Sequence, residues 1–168
     1  MPLTPTQKKL VRAHMARYCE NAEQNQRRWH YSQQRPFRYV DNPNASYIVA
    51  DCSGYVSIVF HDAMHDTGIF LADPLGYRYT GYGYTGSQLD WLKDNGRKVQ
   101  LDKTFYVGDM VIYGDSEWRT VHTSICRKNG TRKTSVWSSN GNENAPQPTS
   151  IDYHPDPIIG VWRHPALA

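Results

Sequence analysis

The chain has 168 residues, 39% of them hydrophobic and 21% charged, with a formal net charge of +3. That length suits one domain with its own core. The charge is much too small to argue for nucleic acid, although it suits a polyanionic surface such as a cell wall. No apolar run reaches the roughly 18 residues of a membrane span, so no membrane insertion is expected.

The first 28 residues are polar and lack the apolar middle of a signal peptide. Synthesis as a soluble cytoplasmic product is the expectation, with another agent needed to carry the protein across a membrane. Residues 4–28 read as a helix: Thr4 or Thr6 can cap it, Pro5 suits its first turn, and Leu10, Val11, His14, Met15 and Tyr18 recur at helical spacing. Residues 29–47 read as a loop broken by Pro36 and Pro43. Cys52, Val56, Val59, Phe60 and Ala63 then form one apolar stripe of a second helix. A Gly/Tyr-rich loop leads into a short helix over Thr85–Asn95, closed by Gly96.

From residue 99 the period changes to two. KVQL, DMVIYG, TVHTSICRKNGTRKTSVWSS and IIGVWRH read as strands, with a hairpin turn at Asn129-Gly130. The pattern predicts a single α+β domain over 1–168: an N-terminal helix (1–28), a second helix with its loops (29–98) and an antiparallel sheet (99–164).

The three cysteines are Cys19, Cys52 and Cys126. Their odd number, wide spacing and the polar N-terminus argue against a disulfide framework. No Cys-x-x-Cys pair occurs, and no metal site is expected. Cys52 is different, because as the first residue of a helix its sulfur would face free backbone N–H groups. The helix dipole there favours a thiolate by about 0.3–1 kcal/mol. Ser53 and Gly54 are small enough to admit a substrate, and a free N–H at the same point could hold an oxyanion.

A base must come from elsewhere. His14 lies in the first helix, His61 and His65 lie out of reach along the helix of Cys52, and His154 and His164 lie in Pro-rich segments. His122 lies in a strand, sharing a face with Thr120, Ser124 and Cys126, and a strand histidine aimed at a helix N-terminus is a common way to build a Cys/His pair. The return strand brings Ser138, Ser139 or Asn140 alongside, any of which could bond the second imidazole nitrogen. Asp51 reads as a helix cap, Asp109 as a turn residue and Cys126 as packing.

DCSGYV, VGDMVIYG and VHTSICRKNG, in that order, resemble the NlpC-type cell-wall cysteine peptidases. WHYSQQRPF, YRYTGYGYTGSQLDWLK and NGNENAP sharpen the resemblance toward endolysin-type peptidases of actinobacteriophages, over roughly residues 25–164. The resemblance implies a papain-like fold with Cys52 as nucleophile, His122 as general base and Asn140 as the third polar residue, Ser138 being the alternative. It also implies a tyrosine hydroxyl near the oxyanion, for which Tyr31 is the better match and Tyr39 the weaker, beside Ser53 and Asp51. The implied activity is cleavage of an amide bond in the stem peptide of bacterial peptidoglycan, for lysis or cell entry, without a metal or organic cofactor. Peptidoglycan and other virion or tail proteins are the expected partners, with the wall reached through a pore or as part of the virion. Two alternatives stand beside it: a virion or tail component that kept the fold without the chemistry, and an N-acetylmuramoyl-alanine amidase or acyltransferase.

Overall fold

The computed structural model describes residues 2–76, 78–141 and 145–168; Tyr77 and residues 142–144 of the NGNENAP segment lie outside them. Helix α1 spans Pro5–Gln24 and opens with a reciprocal cap. The Thr4 hydroxyl accepts the Gln7 N–H at 3.2 Å, and the Gln7 side chain accepts the Thr4 N–H at 2.9 Å. The helix stops four residues short of Arg28, and a 3-10 turn, Gln26–Arg28, follows. Asn25 ends it by donating its side-chain amide to the Asn21 carbonyl at 2.7 Å. Val11, Met15, Tyr18, Cys19 and Ala22 are its buried residues, whereas Leu10, expected in the stripe, is 49% exposed.

The segment read as loop contains half of a small parallel pair, β1 (Trp29–His30) with β2 (Ile48–Val49). Helix α2 follows at Cys52–Thr67 and ends at Gly68, whose φ of 65° is the left-handed conformation that glycine adopts without strain. Every residue from Cys52 to Phe60 is buried, so α2 has no solvent face along that stretch. α1 packs on one side and the sheet on another, while Phe37, Ile48, Leu71 and Leu75 close the rest. Helix α3 occupies Thr85–Asn95.

Strands β3 (Arg97–Val99), β4 (Asp109–Ser116), β5 (Arg119–Lys128), β6 (Val136–Ser139), β7 (Gln147–Thr149) and β8 (Ile158–Arg163) form one antiparallel sheet in the order β3-β8-β4-β5-β6-β7. The chain is therefore α+β, helices first and sheet second. Met110, Ile112 and Ile125 face the helices, whereas Val111, Tyr113, Cys126, Trp137 and Val161 build a second core on the far face. The expected turn is displaced. Gly130 exchanges backbone hydrogen bonds with Phe105, and the side-chain Oδ1 of Asn129 accepts the Val107 N–H at 2.8 Å. The chain reverses instead over Thr131–Ser135, where the Ser135 N–H reaches the Thr131 carbonyl at 2.9 Å. Among the described residues no helix is long and apolar enough to cross a membrane.

Asp109 does more than shape a turn. It is fully buried, accepts the Tyr106 N–H at 2.8 Å, and receives Arg163 Nε and Nη2 at 2.7 and 2.8 Å. This two-pronged pair locks β4 to β8. Removing one partner of such a pair strands the other charge in a buried place. Asp109→Ala is expected to cost about 3–5 kcal/mol of stability, measured by urea unfolding; a loss below 1 kcal/mol would contradict this role.

Candidate active site

Asp51 fixes the start of α2. Its Oδ1 accepts the Gly54 N–H at 2.8 Å and the Ser53 hydroxyl at 3.0 Å, and its Oδ2 receives Arg35 at 2.6 Å. Asp51 is thus the expected cap, and with both oxygens engaged it is not free to act on a substrate. Arg35 also donates to the Gly83 carbonyl at 2.7 Å, tying the loop after β1 to the Gly/Tyr-rich loop. A second tie lies at Gly81, where φ is 79° and an added Cβ would stand 2.3 Å from the Phe37 carbonyl oxygen, so only glycine fits.

These ties place Cys52 on a cleft of about 690 Å³ lined by Gln33, Arg35, Tyr82, Tyr84, Thr85, Trp118 and Val121, among others. Cys52 is only 5% exposed. Its sulfur lies 3.6 Å from the Thr85 hydroxyl, at the first residue of α3, so the N-termini of two helices meet at the thiol. Thr85 escaped the sequence reading, although its place just after the Gly/Tyr-rich loop marked a helix start. Tyr31 is 39% exposed, and the pKa of its hydroxyl is raised by partial burial and then by the nearby charge of Cys52. The Tyr39 hydroxyl bonds Asp73 at 2.8 Å instead.

The expectation of a lowered thiol pKa is corrected. Burial, then the adjacent Asp51 charge, push the Cys52 thiol up to about 11, against the Thr85 hydroxyl and the backbone N–H groups of Thr123 and Ser53. Cys19 is pushed up to about 12 and Cys126 is raised further, both chiefly by burial.

His122 shares its strand face with Cys126, as alternation predicts, but that face is turned away from the helices. The imidazole packs beside Tyr113 at 5.9 Å and stacks on His154 at 4.9 Å. Its Nε2 meets the Ser139 hydroxyl at 2.8 Å and the Tyr153 hydroxyl at 2.5 Å. No hydrogen bond joins His122 to Cys52 among the described residues, and the two line different cavities, that of His122 being about 270 Å³. They are nonetheless close along the chain trace, because the residue after His122 is the one whose N–H faces the Cys52 sulfur. Burial, then the charge of His154, lower the imidazole to about 3.

The expected third residue is also corrected. Asn140 donates its amide to the carbonyls of Ala50 and Asp51 at 3.0 and 3.3 Å, bracing the entry to α2 rather than touching His122. Ser138 faces the helices and bonds the Tyr55 hydroxyl at 2.7 Å. Ser139, the middle one of the three residues weighed, holds the imidazole together with Tyr153, which sequence reading missed. Nothing in the spacing of Tyr153 signals its position, which depends on how the chain returns from β7.

Among the described residues, one group of metal-capable side chains occurs: His14, Asp62 and Asp66. It lies about 15 Å along α2 from Cys52 at 1.5 Å per residue. The repeat of His and Asp at four-residue spacing in HDAMHD (61–66) is the signal that could have revealed it. Compared with protein-family models, curated proteins and solved structures, the chain matches none.

Two outcomes follow from the buried, neutral state of both groups. Pulsed iodoacetamide labelling of Cys52, read by peptide mass spectrometry, is expected to rise with a midpoint near pH 11; a plateau of rapid labelling below pH 7 would contradict it. For His122, folding depresses the pKa to about 3, against about 6.5 when unfolded. The unfolded chain therefore takes up the proton first, and stability present above about pH 6.5 is lost as pH falls toward 3. His122→Gln is expected to flatten this acid-side loss by up to about 1.4 kcal/mol per pH unit in urea titrations, and an unchanged slope would overturn the assignment.

Proposed function

We propose that the protein is a cysteine-dependent amide hydrolase of papain-like, NlpC-type architecture that cleaves the stem peptide of bacterial peptidoglycan as a phage-type wall hydrolase. The observation that carries this reading is the setting of Cys52. Its sulfur lies on a cleft at the junction of two helix N-termini, with the Thr85 hydroxyl and backbone N–H groups around it. Such donors suit an oxyanion forming beside the sulfur, and the Tyr31 hydroxyl is near enough to feel the charge of Cys52.

With thiol and imidazole both neutral at rest, proton removal accompanies attack rather than preceding it. Ser139 and Tyr153 occupy Nε2 of His122, which leaves Nδ1 as the basic nitrogen once Nε2 carries the proton. The reaction requires the imidazole and the sulfur, held in separate cavities at rest, to be brought together; Nδ1 then takes the thiol proton as sulfur attacks the amide carbonyl and passes it to the leaving amine. Water releases the thioester and regenerates the thiol. Trp118, 97% exposed, stands on the cleft rim with Tyr82 and Tyr84, each 59% exposed. Flat rings of this kind suit the sugar and peptide faces of a wall polymer.

Cys52→Ala is expected to abolish release of wall fragments with the fold intact, and His122→Gln to lower it by about 10²–10⁴-fold. Mass spectrometry of the fragments identifies the bond, separating a stem-peptide cut from an amidase cut at the sugar–peptide junction. A second reading, a virion component that keeps the fold without the chemistry, is favoured by the separation of Cys52 and His122 into different cavities. It predicts no fragments from the unaltered protein at any pH.

A further inference from the structure

The face where α1 crosses the far half of α2 carries an unusual concentration of metal-binding side chains. His14 comes from α1, and Asp62 and Asp66 come from successive turns of α2. One ligand atom from each lies within 4.8 Å of the others. His14 Nε2 contacts Asp62 Oδ2 and lies 3.5 Å from Asp66 Oδ2. Ligand atoms at about 2.1 Å from a tetrahedral zinc ion stand about 3.4 Å apart, so this spacing needs little adjustment.

An independent observation separates this group from an ordinary acidic patch. Asp62 is 1% exposed, and its Oδ1 is buried without a hydrogen-bond partner. A buried carboxylate oxygen left unpaired is costly. It belongs to a residue lining a cavity of about 420 Å³ that His14, Asp66 and Asp41 also line. Asp66 is 47% exposed, which gives an ion a way in. His65 Nδ1 is 3.1 Å from Asp66 Oδ1 and can hold that carboxylate in place. Arg17 lines the same cavity, but among the described residues no ion pair joins it to these carboxylates.

We propose that His14, Asp62 and Asp66 bind a divalent transition-metal ion, with Zn²⁺ the best match, which clamps α1 to α2. An imidazole with two carboxylates suits zinc and its first-row neighbours, whereas calcium and magnesium favour all-oxygen sets with more ligands. Three protein ligands leave a further position to water from the cavity. The site is remote from Cys52, so the ion acts on the stability of the helix pair and takes no part in the proposed hydrolysis.

The test is titration of the EDTA-stripped full chain with ZnCl₂ by calorimetry, with Co²⁺ as an absorbance probe of the ligand set. One Zn²⁺ per chain is expected, and a melting temperature raised by about 5 °C or more at one hundred times Kd. Asp62→Asn and His14→Gln should each weaken binding about tenfold or more. If either fails to fold, Asp66→Asn, at a half-exposed position, should still show the loss. Absence of binding, or equal affinity in Asp66→Asn, overturns the proposal. So does a His14→Gln destabilisation identical with and without Zn²⁺, which is the behaviour of a plain His–Asp ion pair.

Discussion

The carboxylate of Asp51 is the fixed point of the N-terminal end of α2. One oxygen closes the helix cap through Gly54 and Ser53, and the other holds Arg35, which in turn grips the Gly83 carbonyl. The same carboxylate therefore sets the position of Cys52 and the two loops that wall the cleft. Asn140 reinforces this from the sheet side by bonding the Ala50 and Asp51 carbonyls. The cost of this arrangement falls on the thiol, because a negative charge next to it disfavours a thiolate.

The competing electrostatic effects at Cys52 can be ranked. Burial and the Asp51 charge together raise the thiol from 9.0 to about 11, which corresponds to about 3 kcal/mol and exceeds the roughly 0.3–1 kcal/mol a helix N-terminus supplies. Burial outweighs the dipole because α2 is enclosed on every side along its first turns. The same enclosure explains how a cysteine in a setting rich in N–H donors remains protonated. In the proposed reaction, the bound carbonyl and the imidazole must supply what the resting protein withholds.

Helices α1, α2 and α3 were legible from spacing and caps, since Thr4, Asp51 and Gly96 mark ends chemically, although α1 stops four residues before the expected end. The two-residue strands β1 and β2 were not, because two residues carry no period. Alternation correctly grouped His122 with Cys126 but could not say which side of the sheet the helices would cover. That choice is made by tertiary packing of Met110, Ile112 and Ile125 against them. The third position failed by a single residue for a related reason: Ser138 and Ser139 point to opposite faces, so one step along β6 exchanges a partner for Tyr55 with a partner for His122. The Asn129-Gly130 pair carried a sound local turn signal, overridden because Gly130 pairs with Phe105 from outside the hairpin.

Strand β5 acts as a partition. On one side lies the cleft of Cys52, and on the other a smaller chamber where His122 meets Ser139, Tyr153 and His154. Traffic through the two is consequently separate. A polymer lying across the cleft therefore covers the sulfur alone, and turnover by the proposed route requires the partition to be bridged so that imidazole and thiol meet.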